Sequence, residues 1–434
     1  MKPSFTDALK FWLKLGFISF GGPAGQVAIM HEYLVDKKKW ISDSRFMHAL
    51  NYCMILPGPE AQQLATYIGW LLHGTRGGLV AGVLFVLPSM LILLGLSAVY
   101  VSYGNLPWIA ALFNGLKPAV IAIVVVALLK IGKRSLLSVF HYAVAIVAFV
   151  LIFFFNTPFP LIIVGAVVVA TVTRKLLPQL FVSGNTSTHP AENNEQEFFI
   201  NNTTRLDDVG FNPLRFWKKV TVAALLWALP FVLFYFFLTD FAFWSKLSVF
   251  FTQAAFVTFG GAYAVLPYVA QVSVEKFQWL TSLQMIDGLA LGETTPGPLI
   301  MVLAFVGFMA GYNHFGDSIA MGSLGLVTTT FYTFLPCFLF IFAGAPIIER
   351  TQENKNIKNI LSLVTAAVVG VVLNLTIYLG MAVIFPNGFA LHQLNYFAIG
   401  WTLVSFFALY RFQINMISWI GASALAGLVV YLIG

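Results

Sequence analysis

Apolar residues run through this chain in blocks of membrane-spanning length, separated by short polar or basic turns. In the first half the blocks lie at about Leu9 to Met30, Phe46 to Leu72, Leu79 to Tyr103, Trp108 to Leu129, Leu136 to Phe155 and Leu161 to Thr173. A polar stretch from Ser183 to Asn212, rich in Asn, Thr and Glu, cannot bury enough apolar area to fold alone and reads as a linker. One block stands by itself, Val220 to Leu238. Six more follow at about Leu247 to Val274, Met285 to Gly311, Ile319 to Pro346, Ile360 to Phe385, Leu394 to Tyr410 and Ile414 to Ile433. A spanning helix needs roughly 20 apolar residues, so the pattern predicts an all-α polytopic membrane protein with about 13 membrane segments. The short alternating strands of a transmembrane barrel are absent. The expected organisation is a first repeat over 1–178, a polar linker over 179–213, a linking transmembrane helix over 214–245 and a second repeat over 246–434.

The two sets of six blocks share more than their number. Phe20-Gly21-Gly22 and Pro57-Gly58-Pro59 in the first set return as Phe259-Gly260-Gly261 and Pro296-Gly297-Pro298 in the second, with the same internal spacing. Trp40 and Trp279 sit at the same offset between them, Leu87-Pro88 matches Leu335-Pro336, and Ala119 to Val124 matches Ala367 to Val372. A repeat that keeps register over several segments marks a duplication. Pro removes a backbone donor and Gly permits unusual φ/ψ, so each Pro-Gly-Pro breaks its helix. Broken helices in corresponding places of a duplicated membrane protein point to a transport site.

Charge sharpens the topology. The chain of 434 residues is 59% hydrophobic and 9% charged, against about 25% charged in soluble domains. Its net charge of +7 sits between the apolar blocks, which favours a topological role over nucleic-acid binding. With a single linking span, the second half enters the membrane upside down. Lys2, Lys10, Lys14, Arg76, Lys130, Lys133, Arg134, Arg174, Lys175, Lys218, Lys219, Arg350, Lys355, Lys358 and Arg411 then share one side, expected to be cytoplasmic along with the N-terminus. The C-terminus falls outside. Lys37, Lys38, Lys39 and Arg45 join that side only if the first two blocks are re-entrant, which the breaks favour. The start of the chain shows no cleavable signal pattern, since Lys10 and Lys14 interrupt its first apolar stretch.

The breaks also supply candidate chemistry. A half-helix that begins at Pro59 or Pro298 leaves free N–H groups at its N-terminus, and such an end attracts anions. Gly21, Gly22 and Pro23, with Gly260 and Gly261, can do the same in the first block of each half. Thr294 and Thr295 add hydroxyls before Pro296, Gly297 and Pro298; Gln62 and Gln63 follow Pro57, Gly58 and Pro59; Gln253 is a further polar residue on an apolar segment, although glue between helices accounts for such amides equally well. Glu60 and Glu293 are carboxylates at membrane depth, where a charge is costly, and are candidate proton carriers. Lys117 and Arg45 are candidate oxyanion contacts, with snorkelling and topology as their plainer roles. His48 and Asp287 hold matching repeat positions and are a candidate polar pair at the site's edge, with independent interfacial residues as the plainer reading. Cys53 and Cys337 lie far apart in apolar runs, the seven histidines show no metal spacing, and no Walker loop appears, so neither a disulfide, a metal, a cofactor nor direct use of ATP is expected. The glycosylation patterns at Asn185 and Asn202 fall on the expected cytoplasmic side.

Taken together, Phe20-Gly21-Gly22-Pro23, Trp40 and Pro57-Gly58-Pro59-Glu60-Ala61-Gln62-Gln63 resemble the first-domain signature of the chromate ion transporter family. Phe259-Gly260-Gly261-Ala262, Trp279 and Thr295-Pro296-Gly297-Pro298 resemble its second domain. The likeness covers nearly the whole chain, in the long two-domain form. It implies homologous halves of opposite orientation and a carrier, not an enzyme, in the bacterial inner membrane that expels chromate on the proton-motive force. Sulfate, which shares the shape and charge of chromate, and a second copy of the chain stand as further expected partners beside the lipid bilayer. Leu299 where the first half has Glu60 departs from strict symmetry, so the halves need not play equal roles.

Overall fold

The computed structural model describes residues 3–20, 22–176, 197–201, 212–348, 355–386 and 394–433. They form sixteen α-helices and, among the described residues, no β-strand beyond one isolated bridge. Six of these helices are long and apolar enough to cross a membrane, with shorter apolar helices beside them. The protein is therefore an all-α, multi-pass membrane protein built from two inverted halves.

In the first half, α1 (Phe5–Ile18) and α2 (Gly22–His31, continued by a π-helical turn Glu32–Lys37) form a hairpin. Phe11 on α1 lies 5.6 Å from the Trp40 ring and 5.9 Å from Tyr33, so the chain returns to the face from which it started. The next pair is α3 (Asp43–Cys53) and the opening part of α4 (Glu60–Tyr103). Tyr52 and Tyr67 pack 5.3 Å apart across it. At His73 and Gly74 α4 leaves helical geometry, with Gly74 at φ +66°. The chain doubles back there: a Cβ on Gly69 would lie 2.6 Å from the Gly77 carbonyl oxygen and 2.6 Å from Ala81 Cβ. Only glycine allows two antiparallel helices to approach this closely. The His73 imidazole meets the Pro3 carbonyl at 3.0 Å, which places this turn beside the start of α1. Each of the first two apolar blocks is thus a re-entrant hairpin. At about 1.5 Å per residue, none of their arms reaches across a hydrocarbon core about 30 Å thick. We call the face they share the near face; Lys37, Lys38 and Lys39 lie on it. The rest of α4, then α5 (Pro107–Ser135), α6 (Val139–Phe155) and α7 (Phe159–Leu176), run between the two faces.

The linking helix α8 (Pro213–Phe237) begins at the near face, where Lys219 donates to the Phe342 carbonyl, and ends at the far face. The described part of the linker is not featureless. Ile200 pairs with Ile41 in a parallel bridge and is buried against the first half.

The second half repeats the plan from the far face. Its hairpins are α9 (Phe241–Phe256) with α10 (Ala262–Gln271), and α11 (Ser282–Thr294) with a 3-10 turn Leu299–Met301 running into α12 (Val302–His314). The far-face ends are held together. Asn313 donates to the Trp279 carbonyl at 2.7 Å, and the His314 ring meets Asp240 at 2.7 Å and stacks on Phe243. The hydrogen bonds from His314 and from the Phe243 amide hold the Asp240 carboxyl below its ordinary range. After Gly316 and Asp317, both at positive φ, α13 (Ile319–Ile348) returns alongside α12 with Gly307 against the Gly325 carbonyl. Helices α14 (Lys355–Ile384), α15 (Tyr396–Tyr410) and α16 (Met416–Ile433) complete the half. The halves embrace: α5 packs on α15 and α16 (Gly115 against Gly427), and α6 packs on α14 (Gly370 against the Ala145 carbonyl).

Candidate functional site

The four hairpin tips meet in the middle of the molecule. The sequence predicts half-helix starts near Pro59 and Pro298, and the structure has Pro59 as the N-cap of α4 and Pro298 as the N-cap of the 3-10 turn before α12. Gly58 and Gly297 take φ of +122° and +98°. Their amides do not serve their own helices. Gly58 N–H donates to the Thr258 carbonyl at 2.7 Å, and Gly297 N–H donates to the Ser19 carbonyl at 2.8 Å. Ser19 and Thr258 hold the same place in the two repeats, just before Phe-Gly-Gly. Each Pro-Gly-Pro is therefore tied to the Phe-Gly-Gly break of the other half, through a reciprocal pair of backbone bonds around a pseudo-twofold axis.

Side chains repeat the exchange. A Cβ on Gly58 would lie 2.8 Å from Cys337 Sγ; one on Gly297 would lie 2.8 Å from Ser89 Cβ. Ser89 and Cys337 follow Leu-Pro at matching positions of the two long helices. Their importance was not legible in the sequence, although the shared Leu-Pro pointed to the right turn of α4 and α13. Ser89 Oγ is buried without a hydrogen-bond partner among the described residues. Gln26 also escaped the sequence reading. It is buried, and its amide donates to the Gly297 carbonyl at 2.5 Å and to the Ser19 carbonyl at 3.3 Å, bracing the second break from the first half. Its counterpart is Val265, so this brace is one-sided.

The open side of the cluster is formed by the Phe-Gly-Gly breaks. Gly22 (φ +69°), where α2 starts, and Gly261 (φ +97°), the N-cap of α10, have no atoms where a Cβ would stand, and Gly260 (φ +82°) faces Thr365. Pro23 lies in the first turn of α2, and Gly21 lies outside the described residues. Four half-helices thus begin at one place, each contributing about half a positive charge from its unpaired amides. Such a centre can hold an anion without a buried cation.

The other predicted residues divide. Gln62 and Gln63 are fully buried in the first turn of α4; Gln63 donates to the Pro57 carbonyl at 2.7 Å and Gln62 to Thr66 Oγ1 at 3.1 Å. Thr294 and Thr295 donate back to the Leu291 and Gly292 carbonyls of their own helix, at 2.7 Å and 3.0 Å. Their hydrogens are engaged within the protein, not aimed into the centre. Glu293 is buried and accepts from Tyr263 Oη at 2.6 Å. Glu60 is half-buried at the first break, near Arg134. Lys117 is drawn to Asp287 at 3.6 Å; both side chains are nearly buried, and Tyr100 Oη donates to the same carboxylate at 2.9 Å. The structure therefore pairs Asp287 with Tyr100 and Lys117 from the first half, in place of the His48–Asp287 pair. Arg45 stands in the first turn of α3, at the opposite end of that helix from the break. Gln253 lies in α9, lining a far-face cavity with Lys246, Gln271, Glu275 and Lys276. Both cysteines are free and buried. The Asn185 and Asn202 patterns lie outside the described residues.

Residues 6–171 and 245–428 match the chromate transporter family. The chain is 29% identical to a chromate transport protein of Pseudomonas aeruginosa, over 99% of this chain and 93% of that one. It is 29% identical to a chromate transport protein of Cupriavidus metallidurans, over 87% and 83% of the two chains, and 28% identical to a probable chromate transport protein of Synechococcus elongatus, over 92% and 88%. No solved structure matches the chain. The matched regions take in both sets of helix breaks, and the chain belongs to the chromate transporter family.

Proposed function

We propose that this protein is a secondary carrier that expels chromate across the bacterial inner membrane, driven by the proton-motive force. It works by alternating access of one central seat between its two inverted halves. The observation that carries this is the reciprocal tie of Gly58 to Thr258 and Gly297 to Ser19, which brings four half-helix starts together. The dianion sits against the backbone N–H groups of Gly22, Glu60, Gly261 and Leu299. Thr294, Thr295 and Gln63 turn from their internal bonds to meet it. Glu60 and Glu293 exchange protons: one is half-exposed beside the first break, the other is buried beside the second. The near face is cytoplasmic, since it carries Lys37 to Lys39, Arg134 and Lys219, and this puts the N-terminus inside and the C-terminus outside. The repeats over 1–178 and 246–434 are the moving halves, joined by 179–213 and the span within 214–245.

Energetically, a potential negative inside favours expelling an anion by about 2.3 kcal/mol per charge per 100 mV, so a dianion gains about twice that. Export then needs no ATP. Uptake of labelled chromate into inverted membrane vesicles tests the reading. Saturable, gradient-dependent accumulation with competition by sulfate is expected. Accumulation without saturation or gradient dependence refutes carrier function, and import into right-side-out cells with raised chromate sensitivity reverses the direction.

A further inference from the structure

Arg134, at the near-face end of α5, has an unusual partner. Its guanidinium reaches Met54 Sδ at 3.2 Å, a weak thioether acceptor. Its neighbour Lys133 is engaged, donating to Tyr410 Oη at 2.8 Å and lying over that ring. Met54 caps α3, three residues before Pro57-Gly58-Pro59. Arg134 is also close enough for its charge to act on Glu60, which opens the half-helix just beyond the break. Arg134 is exposed, and Met54, Ile55, Pro57 and Glu60 around the break are half-buried, whereas Pro296 to Met301 are buried.

The repeat shows what this arrangement leaves open. Met54 occupies the place that Glu293 holds in the second half. A carboxylate at residue 54 would take the fork of Arg134 in a bidentate pair and neutralise it. Methionine leaves most of the five N–H donors, in their planar fork, to a ligand that can accept from them. That geometry suits two oxygens of a tetrahedral oxyanion.

We propose that Arg134 is the first oxyanion contact on the near face, holding the dianion at the mouth of the first Pro-Gly-Pro break before it enters the central seat. The proposal rests on the carrier reading above. It extends the site beyond the breaks and gives the halves different duties, since the second half has Ala382 at the matching place. A phospholipid headgroup offers the same phosphate-like chemistry as a free oxyanion, so the test must separate the two.

The wild type, Arg134→Gln, Arg134→Lys, Met54→Glu and Lys130→Gln are reconstituted with the near face outward, in vesicles of neutral phosphatidylcholine with or without anionic phosphatidylglycerol. Labelled chromate uptake is followed against concentration. Loss of a charge-assisted contact predicts a rise of about 10- to 100-fold in the half-saturating concentration for Arg134→Gln. Met54→Glu reproduces that rise, Arg134→Lys gives a smaller one, and Lys130→Gln behaves as wild type. An unchanged half-saturating concentration in Arg134→Gln overturns the proposal. So does an equal rise in Lys130→Gln, which marks general surface charge, or a defect seen only with phosphatidylglycerol, which marks a lipid site. If the wild type moves no chromate, the carrier reading fails by itself. Equilibrium binding of labelled chromate to the purified proteins then still decides the role of Arg134: equal binding by wild type and Arg134→Gln refutes it.

Discussion

Gly297→Ala tests the interlocking of the two halves most directly, because its cost comes from two separable sources. The first is backbone strain. At φ +98° an L-residue is held in a sparsely populated conformation, at about 1–3 kcal/mol. The second is collision, since the new methyl would stand 2.8 Å from Ser89 Cβ of the other half, and overpacking of this kind costs about 1–3 kcal/mol. The sum is about 2–6 kcal/mol, enough to lower the melting temperature of the detergent-solubilised protein by several degrees. Only the collision can be relieved elsewhere. Ser89→Gly removes the clashing atom, at about 1 kcal/mol for a glycine within a helix, and should recover part of the loss. Ser89→Ala keeps Cβ and should recover little. The pseudo-symmetric Gly58→Ala meets Cys337 Sγ rather than a Cβ, so there Cys337→Ala suffices for partial rescue. Melting curves followed by tryptophan fluorescence, with chromate uptake alongside, measure all six proteins. A silent Gly297→Ala, or equal rescue by Ser89→Ala and Ser89→Gly, would show that the breaks do not pack as described.

Three further outcomes follow from particular contacts. Lys117→Met leaves the Asp287 carboxylate buried without its cation and should destabilise by about 3–5 kcal/mol, while Lys117→Met with Asp287→Asn recovers most of this; a single mutant as stable as the double in thermal melts contradicts the pairing. Glu293→Gln should abolish proton-driven flux yet spare chromate exchange, and full proton-driven flux in vesicles removes Glu293 from coupling. Because the bonded state depresses the Asp240 pKa, its contribution is present above the ordinary aspartate range and lost as pH falls through the folded value. The side chain is 41% exposed, so solvent screening limits the effect to under about 1 kcal/mol. The stability gap between wild type and Asp240→Asn should therefore be small at neutral pH and close as pH falls below the ordinary aspartate range, and a gap that widens on acidification would reverse the sign of the argument.

The breaks were legible because they are made by residues with no alternative use at membrane depth: Pro-Gly-Pro cannot continue a helix, and its repetition excludes accident. The re-entrant course was legible from Lys37 to Lys39, which no spanning path could place with the other basic residues. What each break touches was not. A repeat reveals which positions correspond, yet Gly58 meets Thr258 rather than its own counterpart, and that crossing arises only when two inverted copies are brought together. Gln26 was invisible for the same reason, since its partner Gly297 belongs to the other copy. Thr294 and Thr295 mislead in the opposite way. A hydroxyl next to a break looks available, but one near a helix end has a carbonyl of the preceding turn within reach and takes it. Asp287 shows the limit of matching positions: its repeat mate His48 is a poor guide, because the charge that answers it comes from the other half.

Helix α8 has one further implication. Of its 25 residues only Phe234 is buried, so it adds little to the grip of one half on the other. That grip is made by the crossed breaks and by the packing of α5, α6, α15, α16 and α14. The chain behaves as a heterodimer on a leash, in which the leash serves mainly to deliver the second partner from the opposite side. Two separate polypeptides, each given its own insertion signal of the proper sense, carry the same complementary surfaces and should find each other in the bilayer without it.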